Sequence, residues 1–299
     1  MIVLERVAEL RDLCDDARRD GGRVGLVPTM GFFHEGHRSL MRAAYADNDL
    51  VVVTIFVNPL QFCAGEDLDA YPRDLAGDIA AAEAEGVDVL FAPTVAEMYP
   101  EPTKTTVHVA DLTDGLCGAA RPTHFDGVTT VVAKLFSIVG PCRAYFGRKD
   151  AQQLAVVRRM AADLNLPVDV VGCPLVREPD GVAMSSRNAY LTEAERAAAP
   201  VLSRALRAAA DAVVAGEREA AAVTNIVERT VADEPLLQLE YAEARRADDL
   251  APLERLDGEV LVAAAAQVGE ARLIDNVTLT IYGAEVEADL GVVTEKAST

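Results

Sequence analysis

Long apolar runs are missing from this chain: nowhere do about 18 consecutive apolar residues, the minimum for a membrane span, follow one another. The opening Met1-Ile2-Val3-Leu4-Glu5-Arg6 has no basic region leading into an apolar segment, so neither a membrane span nor an export signal is expected. Cysteine is sparse and scattered. The 5 cysteines (Cys14, Cys63, Cys117, Cys142, Cys173) form no CxxC pair, which excludes a zinc clamp or dithiol couple and points to reduced thiols in a cytoplasmic protein. Positive charge is also short, with 28 Lys and Arg against 48 Asp and Glu and a net charge of -20. Such a surface repels polyanions, so nucleic acid is not an expected partner, and any anion bound must be small and held locally.

The 299 residues, 51% of them apolar, carry ample core for one large domain or two ordinary ones. Strand-length apolar runs at 24–28, 50–57, 87–91, 107–110, 142–147 and 168–172 alternate with helix-period stretches at 75–85, 128–139 and 152–164. That alternation predicts an α/β fold with a Rossmann-like, doubly wound parallel sheet, whose ligands bind beyond the carboxyl ends of the strands. Near residue 187 the texture turns Ala-rich and helical (193–215, 219–231), then strand-like (236–241, 260–267, 271–280), as in a second, smaller α+β domain. The expected division is 1–186, 187–283 and a flexible acidic tail, 284–299.

Only 4 histidines occur, and two of them fall in the run Pro28-Thr29-Met30-Gly31-Phe32-Phe33-His34-Glu35-Gly36-His37. The apolar strand 24–27 precedes this run, and a helical period through Leu40, Met41 and Ala44 follows it. A glycine turn between a buried strand and a helix start suits phosphate, because the first helical amides are unpaired and the dipole is positive there. Gly36 would let an anion approach the backbone between the imidazoles.

Other segments place polar groups at expected strand ends. Asn58-Pro59-Leu60-Gln61 stops a strand and presents two amides, which suit a neutral or carboxylate ligand, although Asn-Pro is also a common turn. Gly147-Arg148-Lys149-Asp150 puts a lysine at a helix start, where a cation is poorly placed unless an anion lies nearby; an exposed lysine is the plainer alternative. Met184-Ser185-Ser186-Arg187 offers hydroxyls and a guanidinium as phosphate donors, or simply caps a loop.

Taken together, the strings PTMGFFHEGH, TIFVNPLQF, GEDLDAYPRD, RPTHFDGV, YFGRKDAQQL and MSSRNAYL, in this order, resemble the HxGH nucleotidyltransferases and, within them, the pantothenate synthetase family. The resemblance runs from about Val24 past Leu191 and more loosely to Tyr282. It implies a ligase that joins pantoate to β-alanine through a pantoyl adenylate, using ATP and Mg²⁺, in a homodimer built through the first domain.

By position in these motifs, Met30, Gly31, Phe32, Phe33, His34, Glu35, Gly36, His37, Gly147, Arg148, Lys149, Asp150, Val176, Met184, Ser185, Ser186 and Arg187 would surround ATP. His37, His34, Lys149 and Arg187 would act catalytically, with His37 as the acid assisting departing pyrophosphate. Gln61, Gln153, Met30, Val131, Val132 and Phe146 match pantoate contacts, with Pro28 beside them; Gln61 and Tyr71 match β-alanine contacts. Arg121 and His124 would support the pocket. The 64–73 loop, the Ser185 segment and the second domain are candidates for excluding water from the adenylate.

Two positions depart from the family pattern. Arg148 stands where an acidic or amide residue is common, and Asp78 alone remains of several carboxylates, which leaves it as the one candidate protein ligand and the ATP phosphates as the expected main holders of the metal. Rival readings are another HxGH adenylyltransferase acting on a phosphorylated cofactor precursor, a class I aminoacyl-tRNA synthetase and a nucleotide-binding regulatory module. The acidic Glu66, Asp67 and Asp69 disfavour the first, charge and length the second, and the presence of the histidines and Lys149 the third.

Overall fold

A computed structural model of the chain describes residues 1–63 and 65–295. Ala64, at the start of the loop expected to close, and 296–299 of the expected tail lie outside the described residues. The chain divides into two compact units: 1–148 with 156–173, and 149–155 with 174–299. The division falls inside a helix and again before Pro174, whereas the sequence pattern places it after residue 186.

The first unit contains β1 (Ile2–Leu4), α1 (Val7–Arg19), β2 (Val24–Thr29), α2 (Glu35–Asp47), β3 (Leu50–Ile55), α3 (Leu75–Ala84), β4 (Val89–Phe91), α4 (Val95–Met98), α5 (Leu116–Ala120), α6 (His124–Val139) and β5 (Cys142–Gly147). Most of α7 (Ala151–Asp163) and all of β6 (Val168–Cys173) complete it. All neighbours in its six-stranded sheet, ordered β1-β4-β3-β2-β5-β6, run parallel. A parallel sheet is covered on both faces, which is why β2 and β3 read as nearly continuous apolar runs. On one face α2 buries Leu40, Met41 and Ala44 against Val27, Val51, Val53 and Leu90. From β2 the sheet is built outward through β3 and β4 on one side and β5 and β6 on the other. The crevice at this reversal lies beyond Thr29 and Gly147.

The strand expected at 107–110 is absent. Backbone groups of Val107 bond to α6 side chains instead: its N–H donates to Thr130 Oγ1 (3.0 Å), and its carbonyl accepts from Thr129 Oγ1 (2.5 Å). Apolar alternation does not distinguish an extended segment satisfied by side chains from one satisfied by a sheet.

The second unit holds β7 (Val176–Arg177), α8 (Glu193–Ala198), α9 (Pro200–Val214), α10 (Ala220–Ala232) and the strands β8 (Leu237–Arg246), β9 (Gly258–Val268), β10 (Ala271–Tyr282), β11 (Glu285–Asp289) and β12 (Val292–Val293). An antiparallel sheet ordered β11-β10-β9-β8 packs Val260, Val262, Ala264 and Ala266 with Leu206 and Val213 of α9 and Val223 and Val227 of α10. The stretch read as a flexible tail is structured as far as Val293. Glu285–Asp289 pairs with β10, and Val292–Val293 runs parallel to β7. Acidic side chains suit an edge strand, since charge there opposes pairing with another chain. Among the described residues no helix is long and apolar enough to cross a membrane.

Candidate active site

The histidine turn is built from the end of β2. Gly31 (φ 85°) and Phe32 (φ 54°) both adopt left-handed backbone, and a phenylalanine there is strained. Asp78, near the start of α3, holds the turn: Oδ2 accepts from Phe32 N–H (2.8 Å) and Oδ1 from Phe33 N–H (2.6 Å). Burial pushes the Asp78 carboxyl up, with the two amides working against it. A side chain at Gly31 would meet Asp78 Oδ2 at 2.8 Å, so glycine is required on steric as well as conformational grounds. Asp78, the candidate metal ligand, thus has each oxygen bonded to one amide of the turn. Among the described residues no three His, Cys, Asp or Glu gather in a group able to hold a metal.

His34 and His37 form a reciprocal cap on α2. His34 Nδ1 accepts from Gly36 N–H (3.1 Å), and His37 Nδ1 accepts from His34 N–H (3.4 Å). The ring centroids lie 4.1 Å apart. Because an amide must donate, each Nδ1 is the acceptor, and in the neutral ring the proton resides on Nε2. The Gly36 amide, expected to face phosphate directly, is thus taken by an imidazole.

Of the expected pantoate contacts in the first unit, Gln61 reaches this turn. Gln61 Nε2 donates to Met30 Sδ (3.1 Å), and Gln61 Oε1 accepts from Asn58 Nδ2 (3.2 Å). Asn58 is itself fixed by the Tyr99 hydroxyl (2.9 Å) and by the carbonyl of Gly127 (3.1 Å). Gly127 lets α6 touch the Gln61 segment, because a Cβ there would lie 2.2 Å from Leu60 O. Val131 and Val132 are buried on the same helix, and Phe146 is buried edge-on to Phe136. At Gly147 a Cβ would meet nothing within 4 Å, so the open space is not required by the protein's own packing.

Tyr71 is buried edge-on to Phe62. The intervening loop is clasped by Arg121, whose Nε and Nη2 donate to the Glu66 carboxylate (2.5 and 2.6 Å); His124 Nδ1 bonds the Gln61 carbonyl (2.8 Å). Burial alone would raise the Glu66 pKa, but Arg121 and the Cys63 amide together hold it below the ordinary value of 4.5. A lowered pKa means that the clasp stabilises the fold fully above that value and is lost as pH falls through the folded value. Glu66→Gln is expected to cost roughly 1 kcal/mol at neutral pH, discounted for partial exposure. Urea titrations should show the difference between parent and variant vanishing in acid; a difference independent of pH would deny the clasp.

The remaining expected contacts belong to the second unit. Arg148, the last residue of the first, starts a 3₁₀ turn, Arg148–Asp150, that leads into α7; Arg148 and Asp150 are exposed. Lys149 is half-buried, and its carbonyl accepts from Asn276 Nδ2 of β10 (2.8 Å). Gln153 lies on the same short segment, 149–155, of this unit. Val176 and Met184 are brought together by the bond from Met184 N–H to Val176 O (3.0 Å). Ser185 Oγ caps the turn Ser186–Tyr190 by accepting from Arg187 N–H (3.3 Å), and Ser186 is buried. Asn188 Nδ2 ties this turn to buried Glu178 (2.9 Å), which Arg196 holds (2.8 Å). Tyr99, Glu178, Arg196 and Asn276 carry no local motif and were not legible as site supports.

A family model for pantoate-beta-alanine ligase matches residues 2–278. The chain belongs to the pantoate-beta-alanine ligase family. A pantothenate synthetase from Heliobacterium modesticaldum is 55% identical over 281 residues, 94% of this chain and 100% of that protein. A solved pantothenate synthetase from Thermus thermophilus superposes with a TM-score of 0.88 at 48% identity, covering 92% of this chain and 98% of its own. A pantoate-beta-alanine ligase from Francisella tularensis, solved in complex with beta-gamma ATP and beta-alanine, has a TM-score of 0.77 at 31% identity, covering 92% and 97%. In this ligase family, the six-stranded parallel sheet with its flanking helices and the smaller antiparallel unit are the shared architecture.

Proposed function

We propose that this chain condenses pantoate with β-alanine at the expense of ATP, giving pantothenate, AMP and pyrophosphate. The observation carrying the reading is the reciprocal histidine cap at the sheet's reversal point, in a chain matched by this family over nearly its whole length. In the first half-reaction a pantoate carboxylate oxygen bonds to the α-phosphorus of ATP as the bond to the bridging oxygen breaks, releasing pyrophosphate. The amine of β-alanine then attacks the acyl carbon, AMP leaves with the bonding electrons, and the amine's proton goes to solvent or base.

The chemical difficulty of the first step is charge. Donors must strengthen as negative charge moves onto the bridging and terminal oxygens, and losing one such donor costs about 3 kcal/mol in comparable sites. The Nε2–H groups of His34 and His37 are fixed by their capped Nδ1 atoms. In this reading they meet the phosphates; His37 acts as the acid toward the departing pyrophosphate in its imidazolium form, in which protonated Nδ1 no longer accepts from His34 N–H. Lys149, Ser185, Ser186 and Arg187 supply the remaining donors to the triphosphate; Met30, Gly147, Val176 and Met184 border the adenosine; Gln61 and Gln153 hold pantoate. The Gln61 amide is pinned through Oε1 by Asn58 and gives one N–H to Met30 Sδ; in this reading the second N–H donates to the pantoate carboxylate. Tyr71 with Gln61 receives β-alanine. In this reading Mg²⁺ would enter with ATP, held mainly by its phosphates, and would offset their charge. The same reading has the enzyme in the cytoplasm as a homodimer.

The test is isotope exchange between pyrophosphate and ATP. Exchange is expected with pantoate present and β-alanine omitted, and none without pantoate. Exchange independent of pantoate, or none in folded protein supplied with Mg²⁺, removes the adenylate route.

A further inference from the structure

In a chain of net charge -20, one face of α9 keeps two cations with nothing opposite them. Arg204 and Arg207, three positions apart, share a face of the helix and are exposed. Among the described residues neither guanidinium has an ion-pair or hydrogen-bond partner, although most other arginines of the second unit do. Both line a cavity of about 180 Å³ whose other walls include Asp180, Gly181, Ser203, Leu290 and Val293.

The local charge balance favours an anion. Arg177 is matched by Asp275, and Arg196 bridges Glu178 and Asp180. Asp180 is further occupied by the amide of Val182. Counting Arg204 and Arg207, four arginines face three carboxylates. Gly181, at φ 94°, keeps the floor open, since a Cβ there would lie 3.0 Å from Ser203 Oγ. The apolar wall is fixed: Val292 N–H bonds Leu175 O (2.7 Å), Thr294 N–H bonds Arg177 O (2.9 Å), and Arg177 Nε bonds Leu290 O. Leu290 and Val293 both lie beyond residue 278, where the family match ends.

The volume is below the roughly 300–1,000 Å³ of typical organic-ligand pockets. It suits a compact oxyanion, and paired guanidinium forks match phosphate oxygens in geometry and charge. We propose that this cavity is a second anion site, separate from the substrate-binding residues assigned above, which takes inorganic phosphate or pyrophosphate. It goes beyond the ligase reading and does not depend on it.

Calorimetric titration with phosphate, and separately with pyrophosphate, at fixed ionic strength tests the proposal. Of the binding events in the parent, one is expected to weaken at least tenfold, about 1.4 kcal/mol, in Arg204→Ser/Arg207→Ser and to survive in Lys149→Ser, which weakens any event at the substrate site. The more tightly bound of the two anions identifies the occupant. Should the double variant fold poorly, Val293→Asp puts a negative charge at the cavity from an exposed position (52% exposed) and is expected to abolish the same event. Unchanged isotherms in both variants, or no binding of either anion by the parent, overturn the site.

Discussion

Replacing His37 with alanine is expected to slow pantoate-dependent pyrophosphate exchange by roughly 10²-fold or more, about 2.7 kcal/mol of transition-state stabilisation. The variant also loses a cap, because His37 Nδ1 accepts from His34 N–H, so stability should drop by about 1 kcal/mol. The two effects separate in His37→Asn, whose carbonyl oxygen can replace Nδ1 as acceptor but whose side chain cannot act as an acid near neutral pH. Its melting temperature should return toward the parent's while exchange stays slow. His34→Asn makes the complementary comparison, since His34 Nδ1 caps Gly36. Exchange by His37→Ala within a factor of two of the parent would remove the acid role and leave the histidine pair as a helix cap alone.

That dual use explains why the turn was legible in the sequence. A buried strand, glycines and paired imidazoles are local signals, all within the run from Val24 to His37. The doubly wound sheet was legible for a related reason: strands covered on both faces must be apolar throughout, so Val24–Thr29 and Leu50–Ile55 announce themselves. The errors lie where local pattern and final bonding partner separate. Val107 has a strand-like neighbourhood but bonds to threonines of α6. Ile2–Leu4 is too short to leave a periodic signal, and Glu285–Asp289 is too acidic to read as a strand.

The partners of the residues that support the site were illegible for a stronger reason. Asp78 reaches a turn more than forty positions away, Arg121 reaches Glu66 across 55, and Arg177 reaches Asp275 across 98. Each is an ordinary charged residue until the fold supplies its partner. Asp78 stands out by its position in the family pattern, but its bonds to the backbone amides of Phe32 and Phe33 leave no trace in local sequence.

Breaking the Arg177–Asp275 pair should have the largest effect on stability of any single change in the second unit. Both side chains are nearly inaccessible, 4% and 3% exposed. All five N–H donors of Arg177 are used: two bonds go to Asp275 (2.7 and 2.9 Å), and the others go to the carbonyls of Gly181, Leu290 and Asn276. One guanidinium therefore ties the turn after β7, strand β10 and the C-terminal segment together. Asp275→Ala leaves that cation buried without its counter-charge, at an expected cost of about 3–5 kcal/mol in urea unfolding. Arg177→Met strands the carboxylate and should cost a similar amount. The double variant Arg177→Met/Asp275→Leu removes both charges and should recover much of the loss, because an apolar pair no longer has to be desolvated as ions. It should not recover activity to the same degree. Asp275 Oδ1 also accepts from the Asn276 amide (2.6 Å), and Asn276 Nδ2 holds the Lys149 carbonyl, so losing the carboxylate loosens the segment that presents the lysine. Recovered stability with exchange still depressed would separate the pair's packing role from its positioning role; a single-variant loss below about 1 kcal/mol would show that the charges find other partners when the pair is broken.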